Sequence, residues 1–211
     1  MKLARIANTR DASAPVRCMP LTEALWPQLE ELFGRERGAN CGCWCMWWRV
    51  ARSEWYRLGR HGRRQRFREL VREAQPTGVL LFRAGVTLGW CAIAPRSSYP
   101  TIARSTVARA VDADVSDVWF ISCFYVKAGQ RGRGITGKLI EASAAYARDC
   151  GARCVEACPT NARCTSHERC MGVLSTFLHS GFRVTQRRSE HRFLVARHFG
   201  GRLPTRQTSS R

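Results

Sequence analysis

Three features of this sequence predict an α/β fold built on a mixed sheet. Strand-like and helix-like segments alternate along most of the chain. The run Val118–Val126 (VWFISCFYV) is apolar on both faces, as a central strand must be. Residues 78–82 and 86–94 are two apolar runs joined by Arg83-Ala84-Gly85, a hairpin signal.

The remaining elements follow in order. Residues 16–19 read as a short strand. Leu25, Leu29, Leu32 and Phe33 fall at helical spacing, and Gly34 supplies a stop. Cys41-Gly-Cys43-Trp-Cys45-Met-Trp47-Trp48-Arg49 has no clear period. Phe67, Leu70, Val71 and Ala74 mark a second helix that Pro76 ends. Residues 95–117 are polar and weakly patterned and read as a surface excursion of the kind that often carries function. Ile135, Leu139, Tyr146 and Cys150 form a helix stripe closed by Gly151. A short strand over 153–157, a helix over about 171–179 and strand-like runs at 182–186 and 191–196 complete the domain. Residues 1–15 read as a flexible leader, 16–198 as one domain and 199–211 as a flexible basic tail.

Composition narrows the function. The 211 residues carry 35 Lys and Arg against 16 Asp and Glu, a formal net charge of +19, which attracts anions: nucleic acid, an acidic surface or a phosphorylated cofactor. No apolar run has the roughly 18 residues that a membrane span needs, and the N-terminus lacks the apolar run of a signal peptide. The expectation is a cytoplasmic protein, in which most of the 11 Cys are free thiols acting as small buried hydrophobes.

The chemistry concentrates in the glycine-rich segment after the central strand, which meets or nearly meets three patterns. Gly132-Arg-Gly134-Ile-Thr-Gly137 matches G-x-G-x-x-G, with Glu156 at the end of the next strand. For dinucleotide binding the first glycine should follow the strand almost at once, but Lys127-Ala-Gly-Gln-Arg131 intervenes. A Walker A match from Gly132 to Lys138 fails at Leu139, which has no hydroxyl for Mg²⁺.

The third pattern is (Q/R)-x-x-G-x-(G/A), carried by Gln130, Arg131, Gly132, Arg133, Gly134, Ile135, Thr136 and Gly137. It resembles the pyrophosphate loop of the GNAT acetyltransferase superfamily. Cys43-Trp-Cys45-Met-Trp-Trp-Arg49, Gly89-Trp90-Cys91-Ala-Ile-Ala-Pro95-Arg96 and Val118-Trp119-Phe-Ile-Ser-Cys123-Phe124 look like a bacterial branch of it, and the resemblance covers about residues 16–197. It implies a sheet of about seven strands, flanked by helices and splayed at the central strand. It also implies direct acetyl transfer from acetyl-CoA to a primary amine, of a small molecule or a protein, in a ternary complex.

By the same resemblance, backbone groups of Phe124, Tyr125 and Val126 pair with pantetheine, and the backbone of residues 131–137 cradles the pyrophosphate. Arg131, Arg133 and Lys138 add positive charge, and Asn161 touches pantetheine. Asn161 also reads as a turn residue after Pro159. Two positions depart from the family. Thr136 stands where Gly or Ala is preferred, and Phe177 stands where many members place a proton-donating Tyr.

Glu156 ranks first as the base that deprotonates the amine, with an ion pair to a neighbouring Arg as its bland alternative. Asp117, Glu141 and His179 rank lower. Cys123 is either an acyl-accepting nucleophile or a buried strand thiol. Tyr99, Trp90 and Trp119 line an acceptor pocket or are core. Two competing classes remain. Cys41, Cys43, Cys45, Cys154, Cys158, Cys164, His167 and Cys170 raise structural zinc, although C-x-C-x-C is not a zinc hook. Arg60, Arg63, Arg64, Arg66, Arg68 and Arg72, with Arg202, Arg206 and Arg211, raise nucleic-acid contact as a sole or accessory property.

Overall fold

The computed structural model describes residues 14–34, 39, 42–161 and 168–200. Apart from residues 14, 15, 199 and 200, the expected leader and tail lie outside the described residues, as do Cys41, Cys164, His167 and the tail arginines.

A seven-stranded sheet forms the frame, with strand order β1-β2-β3-β4-β5-β7-β6. Its strands are β1 (Val16–Pro20), β2 (Gly78–Arg83), β3 (Val86–Pro95), β4 (Val118–Val126), β5 (Cys154–Ala157), β6 (Arg183–Arg187) and β7 (Phe193–His198). Only β4 and β5 run parallel; every other neighbouring pair is antiparallel. The hairpin signal at Ala84-Gly85 is met by a two-residue turn with both residues in the left-handed region, at φ 47° and 76°.

Two layers of helix cover the sheet. Helix α3 (Ile135–Asp149) lays Ile135, Leu139 and Ile140 against Trp119, Ile121 and Val155, joined by Phe177 of α4 (Leu174–His179). On the other face, α1 (Trp26–Phe33) and α2 (Arg52–Arg72) bury Trp26, Phe33 and Phe67 against Leu80 and Trp90, with Trp44 and Met46 of the Cys-rich segment filling between them. Burial of the Cys-rich segment follows from its aromatic content.

The second helix differs from its expected limits. It begins at Arg52, breaks at Gly59 (φ 56°, ψ −171°) and ends before Ala74, whose left-handed φ of 53° lets the Gln75 N–H reach the Leu70 carbonyl at 3.0 Å. Arginines of its second half make contacts that an apolar stripe does not show. Arg68 pairs with Glu23 at 2.7 Å, Arg64 pairs with Glu30, and the Arg63 guanidinium lies 3.6 Å from the Trp55 ring centroid. Arg63, Arg64 and Arg68 are thus engaged within the chain. Among the described residues no helix is long and apolar enough to cross a membrane.

Residues 95–117 are less superficial than expected. Two 3-10 turns, Arg96–Ser98 and Ile102–Arg104, press Tyr99, Ile102 and Ala108 into a buried cluster with Phe120 and Leu194. Such turns are too short to show a period in sequence.

Candidate active site

Two local events at the centre of the sheet create the site. The ladder between β4 and β5 runs from Val118↔Cys154 to Ile121↔Ala157 and stops there, because β5 has only four residues. Past Ile121, no described strand pairs with the β5-facing edge of residues 122–126. At the same point β4 carries a bulge. Ile93 faces Ile121 and Ala92 faces Cys123, so Ser122 is the extra residue. The bulge turns Phe124 toward α3 and α4, and Cys123 and Tyr125 toward α1 and α2.

The chain leaving β4 is anchored by the Lys127 N–H on the Leu88 carbonyl (2.9 Å) and then turns, with Gln130 N–H on the Lys127 carbonyl (3.0 Å). Gly129, Gly132 and Gly134 follow at φ 78°, 76° and 72°, a left-handed run that side chains resist. A β-carbon on any of these three would meet no atom within 4 Å, so the backbone here faces open space. Gly134 caps α3 without a side-chain hydrogen bond, which leaves the amides of Ile135, Thr136 and Gly137 pointing out of the first turn of a 15-residue helix. Arg131, Arg133 and Lys138 stand exposed around them, with no ion-pair partner among the described residues. Donor amides, a helix dipole and unpaired cations together make an anion site.

The other expected site residues are placed as follows. Phe124 is buried edge-to-face against Phe177, and Tyr125 packs edge-on against Phe33. Asn161 is tied to the β6–β7 turn: its backbone N–H meets the His191 carbonyl at 3.0 Å and its side-chain amide meets the Glu190 carbonyl at 3.4 Å. Glu156 faces Phe120 one rung before the ladder ends. Its carboxylate is ion-paired to Arg96, the two side chains being 12% and 5% exposed. Burial raises the Glu156 carboxyl above its ordinary range, against the lowering pull of Arg96, while burial lowers the Arg96 guanidinium. Arg96 also donates to the Ala108 carbonyl.

The lesser candidates lie elsewhere. Glu141 is exposed and paired with Arg197 at 2.7 Å, and His179 is exposed on α4, with its Nδ1 2.7 Å from the Ser175 carbonyl oxygen. Asp117 occupies the exposed turn into β4 with a left-handed φ of 55°. Trp90 and Trp119 are core, and Tyr99 is buried with its hydroxyl accepting from Ser122 Oγ at 3.2 Å. A cleft of about 780 Å³ opens at the other ends of β4 and β5, beside Val118 and Cys154, and includes no residue of the glycine loop. Among the described residues no group of His, Cys, Asp and Glu is arranged to hold a metal.

Sequence reasoning missed Arg96 and Ser122. The bulge at Ser122 leaves no mark in an apolar strand, and the partner of Glu156 comes from a segment that looked like solvent-facing loop.

Residues 26–172 match the profile of the acetyltransferase (GNAT) family, well over half of the chain. The chain belongs to the GNAT acetyltransferase family. Solved structures agree on the fold of this GNAT chain. A protein from Salmonella typhimurium, solved with its cofactor acetyl-CoA, aligns with a TM-score of 0.53 and 12% identity over 90% of this chain and 97% of that one. A ribosomal-protein-alanine N-acetyltransferase from Brucella melitensis gives 0.51 and 14% over 87% and 99%. An N-acetyltransferase from Staphylococcus aureus Mu50 gives 0.50 and 13% over 87% and 96%. No curated protein sequence matches the GNAT chain.

Proposed function

We propose that this chain transfers an acetyl group from acetyl-CoA to a primary amine, directly within a ternary complex. One observation carries the reading: uncapped amides at the start of α3, preceded by a left-handed glycine run in open space, lie next to the point where β4 parts from β5. The amides of Ile135, Thr136 and Gly137 bind the pyrophosphate, with the backbone of Gly132 and Gly134 kept clear of side chains. Arg131, Arg133 and Lys138 hold the phosphate charge. The unpaired edge of Phe124, Tyr125 and Val126 offers backbone groups to the pantetheine amides, and one N–H there stabilises the tetrahedral oxyanion.

Bound acetyl-CoA supplies the thioester. Glu156 accepts the ammonium proton, and the hydrogen bond from Arg96 holds the carboxylate in place. Phe177 cannot donate a proton, so the thiolate departs unassisted or through water, as its low basicity permits. Asn161, held by the β6–β7 turn, contacts pantetheine. The acceptor is a small-molecule amine or a protein amine, and the setting is the cytoplasm.

Acetyl-CoA is expected to raise the melting temperature of the chain, and Gly134→Trp to abolish the shift by forcing an indole and a strained backbone into the loop. A flat melt of the wild type at millimolar cofactor overturns the reading. Thiol release across a panel of amines then identifies the acceptor.

A further inference from the structure

The strip of sheet that β4 leaves past Ile121 is taken by another part of the chain. The ladder that sets Ile121 against Ala157, carried on in register, would bring Phe124 opposite Thr160. On the β7 side the register does carry on: Ala157 faces Val195, and Thr160 faces Arg192 in the same antiparallel sense. On the β4 side Thr160 is bridged to Val173 instead, in the parallel sense that β4 itself has. The Thr160 N–H donates to the Gly172 carbonyl at 3.1 Å, and the Leu174 N–H donates to the Thr160 carbonyl at 2.7 Å.

Residues 171–174 therefore form a short strap lying in the plane of the sheet. Met171 is buried with Phe120, Cys158 and Leu194 on the face opposite α3. Gly172 meets the α3 face, where a β-carbon on it would stand 2.7 Å from Phe177 Cε2 and 3.1 Å from Phe124 Cε2. Successive residues on opposite faces are the behaviour of a strand. The strap thus touches Phe124, the residue whose place beside Thr160 it fills. Its seat requires glycine twice over, by a φ of 89° and by the lack of room.

We infer that residues 171–174 are an internal plug of the pantetheine slot, seated on Thr160 in the ligand-free chain and displaced when acetyl-CoA binds. The inference rests on the proposed function, in which pantetheine pairs with the edge of Phe124, Tyr125 and Val126. Strap and pantetheine compete for one strip of the sheet beside Phe124. Displacement breaks the two hydrogen bonds at Thr160 and the packing of Gly172, and the pantetheine amides offer bonds of the same kind to β4. The backbone freedom of Gly172 lets the strap turn away. Such a plug weakens apparent affinity in proportion to the fraction of chains that hold it in place.

The test uses the full chain, with hydrogen exchange and melting measured with and without saturating acetyl-CoA. The Thr160 and Leu174 amides are expected to be protected in the ligand-free chain and to exchange about tenfold faster or more once acetyl-CoA is bound. The Phe193 amide, bonded to the Pro159 carbonyl at 3.1 Å on the β7 side, should keep its protection. Thr160 and Leu174 amides that keep or gain protection with acetyl-CoA overturn the plug and leave the transferase reading standing. Gly172→Ala drives a β-carbon into the two rings, so it should lower Tm without ligand and yet bind acetyl-CoA about threefold tighter or more. A lower Tm with equal or weaker affinity marks a merely structural glycine and overturns the plug. If Gly172→Ala does not fold, exchange in the wild type decides alone. A wild type with no acetyl-CoA-induced melting shift overturns the proposed function, and the plug with it.

Discussion

Gly89 of β3 and Ile135 in the first turn of α3 meet with no side chain between them: a β-carbon on Gly89 would stand 3.0 Å from Ile135 Cγ2 and 3.0 Å from Leu139 Cδ1. Gly89 also faces Val126, the last residue of β4, so this close approach seats the glycine loop on the sheet. The backbone of Gly89 is not left-handed; what the position demands is space.

Gly89→Val should therefore push α3 outward. Overpacking of this kind costs about 1–3 kcal/mol, readable in a urea melt. Displacement of the first-turn amides should weaken acetyl-CoA by about tenfold or more, which corresponds to about 1.4 kcal/mol. Unchanged stability and affinity in the valine variant would show that the contact does not position the loop.

The buried pair of Arg96 and Glu156 gives a second prediction. Arg96→Met leaves the Glu156 carboxylate without a partner and should cost about 3–5 kcal/mol, whereas Arg96→Met combined with Glu156→Leu should recover most of that loss. Singles costing less than about 1 kcal/mol would place the pair in more water than the structure gives it. Activity has a pH signature as well. If ionised Glu156 is the base, the acid limb of kcat/KM lies above the ordinary glutamate range, and Arg96→Met moves it to higher pH because the lowering charge is gone. The sign for stability is opposite to that of a salt-bridged surface carboxylate. With the folded pKa raised, the native chain binds the proton more tightly than the unfolded chain, so stability falls as pH climbs from the ordinary value through the raised one.

The turn at Ala84-Gly85 carries strain that the fold does not need. Alanine at φ 47° resists the left-handed region, and asparagine accepts it. Ala84→Asn should stabilise by about 0.5–1 kcal/mol, raising Tm by about 1–4 °C for a chain of this size, with acetyl-CoA binding unchanged. A lower Tm would mean that the Ala84 side chain makes a contact worth more than the strain.

The same positions show what the sequence could and could not disclose. Turn chemistry at Ala84-Gly85, the apolar run Val118–Val126 and the stripe beginning at Ile135 are local signals, and each element formed where its pattern stood. The glycine loop was legible for the same reason. The Ser122 bulge and the Arg96–Glu156 pair were not, because each depends on contacts between segments far apart in the chain. Arg96 looked like loop charge until Glu156 and the Ala108 carbonyl closed around it. The contacts of Arg63, Arg64 and Arg68 in α2 hid from a periodicity test because guanidinium groups make them, over an aromatic ring and beside carboxylates.

Phe177 tests whether the chain can regain a proton donor. Its ring is fully buried, 5.9 Å from the Phe124 centroid and 5.0 Å from that of Phe182, both edge-to-face. A hydroxyl added there enters an apolar cluster. Phe177→Tyr should therefore cost about 1–3 kcal/mol through an unsatisfied buried polar group, and leave kcat with a fast amine no higher than in the wild type. The measurement is a paired urea melt and rate determination with a poor and a good thiol leaving group. A variant that is as stable as the wild type and turns over the poor leaving group faster would show that the ring edge reaches the gap beside β4. Unassisted departure of the thiolate would then no longer describe this chain.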